Sequence, residues 1–193
     1  RWAIGSVSDK IMNNAPKPVL LARVPLASPL QDRVVLVVDD EHDVLDSVEE
    51  VLDICKIYKA ADYQTASEYL ERYSFDIVIL DIMGVKGFDL LKQAVQRGFP
   101  TVMLTAHAFT EETLKESAKL GAVSFLPKEE IRNLKPLLED VVRAGGKPVW
   151  KKLFERIGTV FERSFGRGKG QTEELLKKIQ GFFDKEFGNT EPK

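Results

Sequence analysis

The stretch Phe75–Leu91, FDIVILDIMGVKGFDLL, decides how the rest of the chain is read. Ile77 to Leu80 form an unbroken apolar run, the mark of a strand buried on both faces, and Asp81 stands where that strand reaches its carboxyl end. In an open parallel sheet the carboxyl ends of the strands form the crevice where ligands bind, so a carboxylate there is a site candidate as well as a loop residue.

Working outward, three more strand patterns end on polar groups. Arg33 to Val38 ends in Asp39-Asp40, Thr101 to Leu104 ends in Thr105, and Ser124 to Leu126 ends near Lys128. Helical periodicity fills the gaps. Glu41–Leu52 carries Val44, Leu45, Val48, Val51 and Leu52 on one side; Tyr63–Tyr73 follows a weak strand at Cys55–Ala60. Gly87–Arg97 turns Leu90, Leu91 and Val95 inward, Thr110–Leu120 is closed by Gly121, and Glu130–Val142 is the last. This βα alternation predicts an α/β fold, a flavodoxin-like doubly wound five-stranded parallel sheet of order 2-1-3-4-5. Its switch point lies between the first and third strands, which brings Asp39, Asp40 and Asp81 to one crevice.

Two acids, one acid, one hydroxyl and one amine at equivalent ends of four strands resemble the receiver domain of two-component response regulators, over about residues 33 to 143. The resemblance implies Asp81 as phosphoacceptor, Thr105 with small Ala106 after it as the switch hydroxyl, Phe125 as the aromatic switch position and Lys128 as the partner amine. It also implies Mg²⁺, with Asp40, Asp81 and the Met83 carbonyl as direct ligands and Asp39 acting directly or through water. The phosphoryl group would come from a histidine kinase or a histidine phosphotransfer protein. Two departures from the family pattern stand out. The loop Ile82–Gly87 is shorter than usual, and Pro127 precedes Lys128 while Glu129 follows it, so the Lys128–Glu129 bond should be trans.

Elementary electrostatics supports a cation at such a crevice. Three carboxylates brought together repel, and without a counter-charge at least one pKa must rise or the loops must spread. Mg²⁺ takes hard oxygen ligands and leaves positions open for a phosphoryl oxygen. Read singly, each residue has a plainer role: Asp39-Asp40 as caps of the following helix, Thr105 and Lys128 as surface residues, Phe125 as core. His42 and His107 lack metal-ligand spacing, and Cys55 reads as a small buried hydrophobe.

The formal net charge of −2 hides a division along the chain. Residues 1–32 carry four basic and two acidic side chains and residues 147–193 carry eleven and seven, which leaves the centre near −8. An acidic centre suits a divalent cation and disfavours nucleic acid. Cys55 is the one cysteine of 193 residues, so no internal disulfide can form, in keeping with a cytoplasmic location. No apolar run approaches the length needed to span a bilayer.

The flanks read differently. Residues 1–25 begin RWAIGSVSDKIMNNAPKPVLLAR, a helix-strand pattern that resembles the C-terminal helix and strand of universal stress proteins. That family's glycine-rich phosphate loop is missing, so the piece is read as a structural arm without nucleotide binding, joined by a linker at Pro25–Asp32. Residues 148–188 read as an amphipathic helical hairpin: Trp150, Leu153, Phe154, Ile157, Val160, Phe161 and Phe165, then Leu175, Leu176, Ile179, Phe182, Phe183 and Phe187. Such a face must be covered, by the receiver-like part or by a second copy in a homodimer; a membrane surface fits less well, because the polar faces mix acids with bases.

The sequence therefore predicts a phosphoryl-accepting regulator that switches a protein-interaction surface and is not an enzyme on other substrates. The alternative is a degenerate receiver acting as a constitutive interaction scaffold.

Overall fold

The structure is a computed structural model that describes residues 27–106, 111–149, and 177, 178, 181, 182 and 185. The N-terminal arm, His107 and most of the predicted hairpin lie outside the described residues.

Among the described residues, five parallel strands form one sheet: β1 (Val34–Val38), β2 (Lys56–Ala60), β3 (Ile77–Asp81), β4 (Thr101–Thr105) and β5 (Ser124–Pro127). Their order is β2-β1-β3-β4-β5, as the alternation predicts. The three inner strands carry near-continuous apolar runs because helices cover both faces. The registers Val38↔Leu80 and Asp81↔Leu104 bring the carboxyl ends of β1, β3 and β4 level.

Among residues 27–149, the described helices that cover the sheet are α1 (His42–Val51), α2 (Tyr63–Arg72), α3 (Gly87–Gln96), α4 (Glu111–Lys119) and α5 (Leu134–Arg143). The inward residues of α1 are Leu45 and Val48, with Leu52 just beyond, while Val44 and Val51 are half-buried at the flanks of the same stripe. Asp62 caps α2 by accepting from the Thr65 amide at 2.9 Å.

The last helix is shorter than its periodicity suggests. Lys128–Asn133 is a 3-10 helix and α5 starts only at Leu134. Pro136 supplies the reason. Inside a helix begun at Glu130 it would remove an interior hydrogen bond and clash with the preceding turn, whereas at the third position of α5 its missing N–H would have had no intrahelical partner.

The body is closed at both ends by residues outside the repeating units. Leu30, in the stretch read as linker, is fully buried; the Asp32 amide donates to the Ile54 carbonyl at 2.9 Å, and Ser28 Oγ donates to Glu139 at 2.8 Å. Beyond α5, Gly145 and Gly146 turn the chain through positive φ, and the Val149 amide donates to the Val123 carbonyl at 2.9 Å beside the start of β5. Cys55 is half-buried rather than buried. Its Sγ donates to the Leu30 carbonyl, and burial pushes the thiol pKa up.

Candidate functional site

Asp81 is the last residue of β3, the middle strand, and its side chain is 3% exposed. The adjacent ends of β1 and β4 bring the other groups in. Asp39 follows β1 and is fully buried, Asp40 beside it faces solvent, and Thr105 closes β4, also buried. One carboxylate oxygen from each of Asp39, Asp40 and Asp81 lies within 4.8 Å of the others. Lys128, just past β5, reaches over the edge of this cluster.

That lysine is the counter-charge the three acids require. Its Nζ donates to Asp39 Oδ1 at 3.0 Å and to Glu41 Oε1 at 2.7 Å, and lies 3.6 Å from Asp81 Oδ1. Burial works against the ammonium, but the hydrogen bonds to Glu41 and Asp39 and the charges of Asp39 and Asp81 outweigh it, so its pKa stands above the ordinary lysine value. Asp39 moves upward as well. Desolvation is the largest cause, only partly offset by the hydrogen bonds from Lys128 and from the Glu41 amide. Glu41 was not singled out from the sequence, since an acid at a helix start looks like a favourable dipole partner and nothing ties it to a lysine 87 residues away. It is the N-cap of α1 but makes no side-chain cap bond, and its carboxylate is spent on Lys128 instead.

The loop after β3 is fitted to the acids. The Gly84 amide donates to Asp81 Oδ2 at 2.8 Å, which fixes the carboxylate's orientation. A Cβ on Gly84 would stand 1.9 Å from Asp40 Oδ1, so the Asp40 carboxylate rests directly on that glycine backbone. A Cβ on Gly87 would meet the Asp81 carbonyl at 2.0 Å. Lys86, between them, adopts left-handed backbone at φ 53°. Met83 is 67% exposed, at the outer turn of this loop. The described residues contain no cis peptide, so the Lys128–Glu129 bond is trans as the sequence predicts.

The remaining sequence candidates are placed but differently engaged. Thr105 donates its hydroxyl to the Ala106 carbonyl at 3.0 Å, within its own strand end. Phe125 is wholly buried in β5, level with Met103 of β4. His42 is exposed on the first turn of α1 and takes no part.

The donor set suits Mg²⁺. Among the described residues, the carboxylates of Asp39, Asp40 and Asp81 gather with Glu41 around one ammonium, that of Lys128, which lies against Asp39, Glu41 and Asp81, so the acids of the crevice outnumber the bases. Two buried carboxylate oxygens, Asp39 Oδ2 and Asp81 Oδ1, accept no hydrogen bond among the described residues, although Lys128 Nζ is near both. Unpaired buried oxygens are costly, and hard oxygen atoms of this kind are the ligands a small divalent cation takes.

Residues 35–139 match the family model described as the response regulator receiver domain. The chain belongs to the response-regulator receiver family. Among curated relatives, the two-component response regulator ARR18 of Arabidopsis thaliana is 34% identical over 110 residues, which cover 52% of this chain and 17% of that protein. This chain thus spans about a sixth of the relative's length. Solved receiver structures share the fold. A CheY-like receiver domain protein from Methanospirillum hungatei superposes with a TM-score of 0.54 at 24% identity, covering 59% of this chain and 96% of that one. A response regulator from Thermotoga maritima gives 0.53 at 21% identity, over 58% and 98%. Each of the three matches leaves more than a third of this chain uncovered.

Proposed function

We propose that this receiver accepts a phosphoryl group on Asp81 and thereby switches a protein-interaction surface. The observation that carries the reading is the Asp81 carboxylate itself. It is buried at the end of the central strand, with Oδ2 held by the Gly84 amide and Oδ1 unbonded 3.6 Å from an ammonium. Oδ1 attacks the phosphorus of a phosphohistidine in line, a new O–P bond forms as the P–N bond breaks, and the imidazole keeps the electron pair and takes up a proton. Lys128 draws toward the transferred oxygens and neutralises them. Mg²⁺ held by Asp39, Asp40 and Asp81, with the Met83 carbonyl as a further donor, would neutralise the same charge. Thr105 turns its hydroxyl from Ala106 toward the new group, and the space it leaves is what Phe125 responds to.

The partners that follow are a histidine kinase or phosphotransfer protein as donor, with a cytoplasmic protein target, no nucleic acid and no membrane. The chain catalyses only its own phosphoryl gain and loss. A scaffold reading has one observation in its favour: Lys128 is already committed to Asp39 and Glu41. Incubation with acetyl phosphate and Mg²⁺, followed by peptide mapping, separates the two. Labelling on Asp81 that vanishes in Asp81→Asn is expected; a wild-type chain that never labels, or a label that survives the substitution, overturns the phosphoryl reading and leaves the scaffold.

A further inference from the structure

Helix α4 turns Leu114, Ser117 and Ala118 into the core and presents Lys115 and Lys119 one turn apart on its other side. Two ammonium groups at that spacing repel. Both converge on one ring: Lys115 Nζ lies 5.4 Å and Lys119 Nζ 5.9 Å from the centroid of Phe182. The ring's negative face relieves the repulsion that the pair would otherwise carry. Phe182 is half-buried and packs against the core cluster, whereas its described helical neighbours Lys177, Lys178, Gly181 and Lys185 are exposed. It also belongs to the apolar series Leu175, Ile179, Phe182 in the sequence, so the face it presents to α4 is the one that needs covering.

We propose that the outer face of α4 is a docking site for this chain's own C-terminal helix, with Phe182 as the anchor clamped by Lys115 and Lys119. Chain path favours the same molecule over a second copy. Val149 is pinned beside Val123, just past Gly121, which ends α4, so the tail leaves the body at the end of the helix it returns to. A partner protein that uses the α4 face has to displace the tail first.

Amide hydrogen exchange on the full chain tests this. Phe182→Ala should raise exchange across 111–119 and 177–185 by about tenfold, from the loss of a half-buried ring and its two cation contacts, and leave β1 and β2 unchanged. Lys115→Met with Lys119→Met keeps the aliphatic stems and should give a smaller rise in the same two segments. Unchanged exchange in both variants, or wild-type tail amides that exchange at the free-peptide rate, overturns the proposal. Protection that grows with protein concentration also overturns it, by assigning the contact to a neighbouring copy.

Discussion

Asp39 is a fully buried carboxylate held against Lys128, and the sign of its effect on stability can be worked out. Its folded pKa lies above the ordinary 3.8, so between those values the folded chain binds the proton more tightly than the unfolded one. Ionised Asp39 therefore destabilises the metal-free fold at neutral pH, and the penalty is relieved as pH falls through the raised value. Asp39→Asn should raise the metal-free melting temperature, and the gap from wild type should close on acidification. Mg²⁺ reverses the ranking. At a hundredfold excess over Kd it should stabilise the wild type by about 2.7 kcal/mol and the Asn variant much less; calorimetry with and without the ion reads both. Glu41 gives a second prediction at this scale. Its bond to Lys128 is short, but the carboxylate is 61% exposed, so the pair is worth well under a buried one. Glu41→Gln should free Lys128 and speed acetyl phosphate labelling of Asp81 by about two- to fivefold. A slower rate would instead mean that Glu41 is needed to hold the lysine in reach.

The loop between β3 and α3 separates two roles that glycine can play. At Gly87 an added methyl meets backbone, the Asp81 carbonyl, which cannot swing aside; Gly87→Ala should cost about 1–3 kcal/mol in urea unfolding. At Gly84 the methyl meets only the end of a side chain, the Asp40 carboxylate. Gly84→Ala should leave stability nearly unchanged while displacing Asp40, with Mg²⁺ affinity falling by about 10–100-fold in a titration. The sequence made most of the elements legible for a physical reason: strands covered on both faces must be apolar throughout, so Ile77–Leu80 and Val34–Val38 announce themselves, and the polar group that ends each run is the site. What it hid were interactions that cross the sheet. The hold of Glu41 on Lys128 joins the ends of β1 and β5, which no local pattern encodes. Pro136, by contrast, did carry the information that α5 starts late, because an interior proline breaks a helix and a first-turn proline does not.

At the scale of the molecule, the receiver body is a sheet whose β5 edge is finished by residues beyond the last helix. Val149 is 5% exposed and its amide bonds the Val123 carbonyl, so it belongs to the folded body rather than to a tether. A chain ending at Pro148 should unfold about 2 kcal/mol more easily than one ending at Val149, from one buried side chain and one hydrogen bond; paired urea titrations measure the difference. The far side of the molecule holds a different kind of contact. Tyr58, Tyr69, Tyr73 and Phe75 pack edge to face or tilted with ring centroids 5.5–5.8 Å apart, and Phe99 joins through Phe75. Tyr63, the remaining tyrosine, stands apart from that cluster with the Lys86 ammonium 5.3 Å from its ring centre. Lys86 belongs to the very loop that orients Asp81. Optically, then, the phenols are partitioned: the clustered ones report on the β2–α2 flank, and Tyr63 meets the loop after β3 through Lys86. A difference spectrum in the phenol band on adding Mg²⁺ should therefore be a single-residue signal, absent from Tyr63→Phe, giving a label-free readout of the loop with no probe attached.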